Sequence, residues 1–268
     1  MTSAAGRTLH QLLAEIEPWS GWLASLCLPG YADEPAALER GRGVYGAEDW
    51  SAVRRQDLAA ALASDEAYLC HIFGREGINV VGAIGLARAF DFGRYRSIFE
   101  IGCGDMAQAY VMHRLHPGIR YVATDLDPWV IEQCERLPAL AGIEKRVLDV
   151  LALPEAGVPF AGFDLLLSWG MEYALDDGQL VRLLRTSARE RIPYLLCSAT
   201  TAGLGKWLRH LWRRRERAQL AERGRLRLSG WERSPLRLRA LARRAGLRTT
   251  PIGRFGYHYC LLFEPGTG

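Results

Sequence analysis

Between Ile98 and Asp105 the chain reads Ile-Phe-Glu-Ile-Gly-Cys-Gly-Asp, an apolar run that carries one acid, Glu100, and then breaks at two glycines with Cys103 between them. Gly102 and Gly104 permit a sharp backbone turn and close approach of a ligand, and a helix starting after them offers free N–H groups. Glu100 is costly at the tip of an apolar strand unless a cation or a ribose pairs with it. A second short run, Tyr121 to Thr124, ends in Asp125 and Leu126. That is the distance, about twenty residues, at which a βαβ unit sets an acid against ribose hydroxyls. Two acids flanking one glycine turn point to a bound nucleoside.

The pattern resembles the class I S-adenosylmethionine-dependent methyltransferases, in which an acid-x-Gly-x-Gly loop holds the amino acid end of the cofactor and a second acid grips its ribose. The resemblance implies S-adenosyl-L-methionine as cofactor, with Glu100, Gly102, Cys103, Gly104, Asp125 and Leu126 around it. It continues at Arg146-Val-Leu-Asp149-Val150, where it places Asp149 and Val150 at the adenine, and at Phe163-Asp-Leu-Leu-Leu-Ser-Trp-Gly170, whose strand end brings Ser168 and Trp169 to the same mouth. It covers roughly residues 95 to 263. Met106 departs from it, standing where the family commonly has a third glycine. A rival reading rests on Gly102-Cys-Gly-Asp-Met-Ala107, which also satisfies the fingerprint of NAD-dependent oxidoreductases. Glu100 speaks against that reading, because it would sit near a pyrophosphate. A non-catalytic protein that binds the cofactor as a sensor is the third alternative.

Methyl transfer from a sulfonium is a single displacement, so orientation, worth on the order of 7 to 11 kcal/mol, carries most of the catalysis. Trp169, Met171, Glu172 and Tyr173 follow the fourth strand, where the family places groups facing cofactor and acceptor. Glu172 is the candidate to orient or deprotonate an acceptor, with Tyr173 beside it. An aromatic face such as Trp169 would favour a sulfonium by about 0.5 to 2 kcal/mol, with core packing as the alternative. His71 and His258 are the histidines able to overhang the mouth as bases. Asp127, followed by Pro128, reads as a helix cap, which leaves Asp125 for the ribose.

The elements that must hold these residues follow from periodicity. From Arg96 onward strands near 97–101, 120–125, 145–149, 163–168 and 192–198 alternate with helices near 106–116, 128–136 and 177–190. Such alternation implies right-handed crossovers and a sheet covered on both faces. Two further strands, 247–252 and 257–264, are too closely joined for a crossover and must be antiparallel neighbours. The expected fold is α/β, with a Rossmann-like, seven-stranded, mostly parallel sheet whose last strand is antiparallel. Residues 1–93 are expected to form a helical N-terminal cap, with helices over Thr8 to Glu17, Glu48 to about Phe73, and Ile78 to Phe90, and a surface loop from Gly30 to Gly46. The cofactor-binding domain then spans 94–268, with a basic helical insert over 203–228.

Composition sets the outer limits. The chain has 268 residues, 49% of them apolar, enough to bury a full core. Cys27, Cys70, Cys103, Cys134, Cys197 and Cys260 show no C-x-x-C pair, which suggests neither a disulfide framework nor a metal site. No signal-like start or membrane-length apolar run occurs, so a cytoplasmic location is expected. Between Lys206 and Arg244 fourteen Lys and Arg face three Glu, a local charge of +11 in a chain of +4, so the remainder is −7. Leu204, Trp207, Leu208, Leu211 and Trp212 recur there at helical spacing. The segment reads as packing or as a lid over a small, anionic acceptor. Peripheral membrane contact through 204–217, with a lipid-linked substrate, and RNA binding are the alternatives, the latter without any recognisable RNA module. The implied activity is methyl transfer to an oxygen or nitrogen of a small molecule of natural-product or saccharide type, a choice that rests on family analogy.

Overall fold

Apolar runs form the central strands, because a parallel sheet buried on both faces leaves no solvent side for polar residues, whereas the two edge strands carry polar and charged side chains. In the computed structural model the strands are β1 (Ser97–Ile101), β2 (Arg120–Asp125), β3 (Glu144–Val147), β4 (Leu165–Trp169), β5 (Tyr194–Ser198), β6 (Leu247–Phe255) and β7 (His258–Pro265). They make one seven-stranded sheet in the order β3-β2-β1-β4-β5-β7-β6. β1 to β5 pair in parallel, whereas β7 runs antiparallel to both β5 and β6. The structure describes residues 55, 58–74, 77–154, 157–198, 233–255 and 258–266.

Alternation along the strands sorts the core into two layers. Ile98, Tyr121, Ala123, Leu165, Leu167, Trp169, Leu195, Cys197, Cys260 and Leu262 face one side. There they meet the helices α1 (Asp65–Phe73), α2 (Gly77–Ala89), α3 (Ala107–Leu115) and α4 (Pro128–Glu135). Phe99, Ile101, Val122, Leu166, Tyr194, Leu196, Leu261 and Phe263 face the other, under α5 (Asp177–Arg189) and α6 (Pro235–Arg244). Leu58, Leu62, Tyr68, Ile72, Val80 and Leu86, all from the expected cap, belong to the same buried cluster as β1 and β4. The described part of that region is therefore continuous with the sheet's core. Residues 1–54 and 199–232, with the expected helix over Thr8 to Glu17 and the basic insert, lie outside the described residues.

Helix starts follow local chemistry. Asp127 accepts from the Trp129 N–H at 3.0 Å and Pro128 takes the first position of α4. Asp176 and Gln179 form a reciprocal capping box at α5. The expected long helix from Glu48 to Phe73 is interrupted within the described residues, since a turn precedes Ser64 and α1 begins afresh there. The Ser64 hydroxyl accepts from the Ala67 N–H at 3.1 Å, and Asp65 accepts from the Ala139 N–H at 2.9 Å. A local cap and a long-range bond together outweigh helix continuity. β3 ends at Val147, two residues before Asp149, which caps a short 3-10 turn by accepting from the Leu151 N–H at 2.8 Å.

The residue in the third-glycine position adopts the conformation a glycine would. Met106 has φ 61°, ψ 21° and is fully buried at the start of α3. Left-handed backbone costs a side-chain-bearing residue roughly 1–2 kcal/mol, whereas truncating a buried Met costs about 2–5 kcal/mol. Packing outweighs strain here. Met106→Gly is therefore expected to lower stability by about 1–3 kcal/mol in urea unfolding, and a gain in stability would refute the packing account.

Candidate functional site

The parallel register brings the C-terminal tips of β1, β2 and β4 to one edge. Glu100 lies opposite Ala123 and Leu167, and Ile101 lies opposite Thr124 and Ser168. The turn after β1 is stitched to β2: the Cys103 N–H donates to the Thr124 carbonyl at 2.8 Å, and the Thr124 hydroxyl donates to the Glu100 carbonyl at 2.8 Å. Gly102 and Gly104 have φ of 70° and 59°. A Cβ on Gly102 would come within 2.4 Å of Met171 Cγ, so the Met171 side chain rests on that glycine.

Three carboxylates surround this turn. Glu100 is fully buried; its Oε2 accepts from the Tyr121 hydroxyl at 2.8 Å, and its Oε1 has no hydrogen-bond partner among the described residues. Burial pushes the Glu100 carboxyl up to about 7; the Tyr121 bond opposes this, and the nearby carboxylates of Asp105 and Asp125 add to it. Asp125, also buried, accepts from the Gly104 N–H with Oδ2 and from the Asp127 N–H with Oδ1, each at 3.0 Å. It thereby locks the first loop to the second. Asp105 accepts from the Ala107 N–H at 3.2 Å and pairs with His71 Nε2 at 2.8 Å. Asp127 caps α4 and takes Arg55 through both oxygens, at 3.1 and 2.8 Å.

The remaining candidates separate. Leu126 is 45% exposed, Asp149 is exposed, and Val150 is half-buried against the core layer under α5. Cys103 is buried in the opposite layer. Ser168 turns away from Glu100 into the α5 layer, where it accepts from the Tyr194 hydroxyl at 2.7 Å. Trp169 faces the other way, beneath Gly82 of α2, with its ring centroid 5.1 Å from that of His258. Burial pushes His258 down to about 4, so its ring is neutral at pH 7. Glu172 is buried in the short 3-10 turn after β4, and its carboxylate lies near enough to Tyr194 to reinforce the upward push that burial gives that hydroxyl. The Tyr173 side chain lies outside the described residues.

His71 and His258 thus occupy different surroundings: one joins α1 to the glycine turn, and the other lies tilted against Trp169 at the start of β7. Sequence reading missed Tyr121 as the partner of Glu100. The signal was present, since Tyr121 sits two residues before Ala123 on the same face and diagonally across from Glu100. It also missed Met171 as the cover of Gly102 and Arg233 as the anchor of the turn after β4, for which no local pattern exists.

No family model matches the sequence, and no curated protein matches it. Solved structures do resemble it. Human N-acetylserotonin methyltransferase in complex with SAM superposes with a TM-score of 0.57 at 18% identity, over 93% of this chain and 69% of that one. PigF with SAH gives 0.55 at 16%, over 75% and 70%. The mitomycin 7-O-methyltransferase MmcR gives 0.54 at 21%, over 77% and 60%. The match spans 60% to 70% of the length of these three. With this strand order, the reversed β7 and the acid-flanked glycine turn at the tips of β1 and β2, the chain has the fold of the class I S-adenosylmethionine-dependent methyltransferases.

Proposed function

We propose that the protein is an S-adenosylmethionine-dependent methyltransferase acting on an oxygen or nitrogen of a small molecule. The observation that carries the reading is Glu100: a fully buried carboxylate near the tip of β1, with one oxygen unpartnered among the described residues and with Asp105 and Asp125 close by. Such a cluster suits a cationic nucleoside and repels a pyrophosphate. The structural neighbours, among them a mitomycin 7-O-methyltransferase and an N-acetylserotonin methyltransferase, support a small-molecule acceptor.

In this reading the bound cofactor supplies an electrophilic methyl on a sulfonium. Glu100 and the turn at Gly102 and Gly104 hold its amino acid end, Asp125 its ribose and Asp149 its adenine. Glu172, buried at the tip of β4, orients the acceptor or takes its proton, and Trp169 with the neutral His258 forms an apolar wall that excludes water. The expected acceptor is of natural-product or saccharide type and anionic, because the segment from Lys206 to Arg244 is so basic. No helix among the described residues is long and apolar enough to cross a membrane.

A melting assay tests the cofactor. S-adenosylhomocysteine at about 100 times its dissociation constant should stabilise the protein by roughly 2.7 kcal/mol, and NAD should give no shift. The opposite result would overturn the reading. Incubation with labelled cofactor and a metabolite extract should then yield a product heavier by one methyl group. Binding without any such product would identify a sensor instead.

A further inference from the structure

Arg233 stands where the chain re-enters the described core after residue 232, and its guanidinium is fully shielded from solvent. Its Nε donates to Asp177 Oδ1 at 2.7 Å, its Nη1 to the Glu172 carbonyl at 2.7 Å and its Nη2 to the Leu175 carbonyl at 2.6 Å. One planar fork thus reaches three points of a single short segment that runs from the turn after β4 into the first residue of α5. Arg237 holds the second oxygen of Asp177 through its Nε at 3.0 Å. The two guanidinium groups more than offset the burial of the Asp177 carboxyl and keep it below the usual range.

Stability alone gives little reason for this arrangement. A buried ion pair is generally no more stabilising than apolar residues of the same volume, because both charges must be dehydrated. What the fork supplies is geometry. The segment it grips begins at Gly170, in left-handed backbone with φ 74°, whose N–H donates to the Cys197 carbonyl at 2.7 Å. From that anchor to the Arg233 contacts run Met171, which rests on Gly102, and Glu172, whose buried carboxylate lies near Tyr194. Both residues are therefore fixed by one bond to β5 on one side and by the arginine on the other.

We propose that Arg233 is a positioning residue of the cofactor cradle: by pinning the backbone from Glu172 to Asp177 it holds Met171 against Gly102 and fixes the place of Glu172. Its link to binding rests on the reading of the turn at Gly102 as the S-adenosylmethionine site. Arg233→Lys keeps a charge beside Asp177 but cannot fork to three acceptors, and Arg233→Met keeps the volume alone.

Affinity for S-adenosylhomocysteine is measured by calorimetry at a temperature where circular dichroism shows each variant folded. Both variants are expected to weaken it about tenfold, since small displacements of a binding wall are costly. Amide exchange in peptides covering 171–177 should quicken about tenfold, with β2 peptides unchanged. A purely structural arginine would lower the melting temperature while leaving affinity within about twofold and exchange unchanged, and that pattern overturns the proposal.

If neither variant folds, Asp177→Asn removes the counter-charge and leaves the two carbonyl bonds; a loss of affinity of about threefold is expected, and none would overturn the proposal. If the unaltered protein fails to bind S-adenosylhomocysteine, the cradle reading falls. Exchange in 171–177 then decides the clamp by itself, and unchanged exchange rejects it.

Discussion

Glu100→Gln is expected to make the ligand-free protein more stable and the cofactor weaker at once. Ionising a buried carboxyl that titrates at about 7 instead of 4.5 costs the fold roughly 3 kcal/mol by pH 8, and Gln removes that cost while still accepting the bond from Tyr121. The same substitution deletes the negative charge that would face the ammonium or sulfonium of the cofactor. A hydrogen bond to a charged group is worth about 1.5–3 kcal/mol, so affinity should fall roughly ten- to a hundredfold. Urea unfolding at pH 8 and calorimetry with S-adenosylmethionine check both halves. A variant that is less stable, or that binds as well as the unaltered protein, would contradict the assignment.

The pH dependence of stability carries the same signature. The folded pKa of Glu100 lies above its unfolded value, so the folded state holds the extra proton between about 4.5 and 7, and stability drains away as pH rises through that window. The folded pKa of His258 is depressed from 6.5 to about 4, so there the unfolded state holds the extra proton, and stability grows as pH rises between those values. The two slopes oppose each other and nearly cancel from about 4.5 to 6.5. Glu100→Gln should unmask the histidine: relative to the unaltered protein, its stability should climb by roughly 3 kcal/mol across the window.

Asp125→Ala is expected to abolish cofactor binding and to loosen the fold. Both oxygens of Asp125 already hold backbone N–H groups, those of Gly104 and Asp127, and stranding them costs about 1–3 kcal/mol each. If Asp125 holds the ribose as proposed, losing charge-assisted bonds to its hydroxyls should weaken the cofactor by at least about a hundredfold. The neighbouring acid is the control. Asp127 caps α4 and pairs with Arg55, so Asp127→Ala should cost about 0.5–2 kcal/mol of stability and leave affinity within about threefold. Equal effects of the two substitutions on binding would show that the roles have been divided wrongly.

The cap at Asp127 illustrates how much was legible in advance: Asp127 before Pro128 announces the start of α4 by local rules, and its side chain accepts from the Trp129 N–H. The strand limits 97–101 and 120–125 follow from apolar runs of strand length, and the reversed last pair follows from a connection too short to cross over. The long helix from Glu48 was misjudged because its interruption depends on a cap at Ser64 and on a bond from Asp65 to Ala139, 74 residues away.

The order of elements, the glycine turn and the acids beside it are each written in neighbouring residues, through strand and helix periodicity, caps and turns. The direction in which the side chains point comes instead from packing between distant segments. In a strand buried on both sides, alternation carries no mark of which face is which, so Ser168 and Trp169 could equally have met Glu100. Sheet register and the two helical layers sent one to Tyr194 and the other beneath Gly82. The same holds for Tyr121 beside Glu100, His71 beside Asp105 and Arg233 beneath the turn after β4: each is a contact between distant parts of the chain, set by packing that no local pattern encodes.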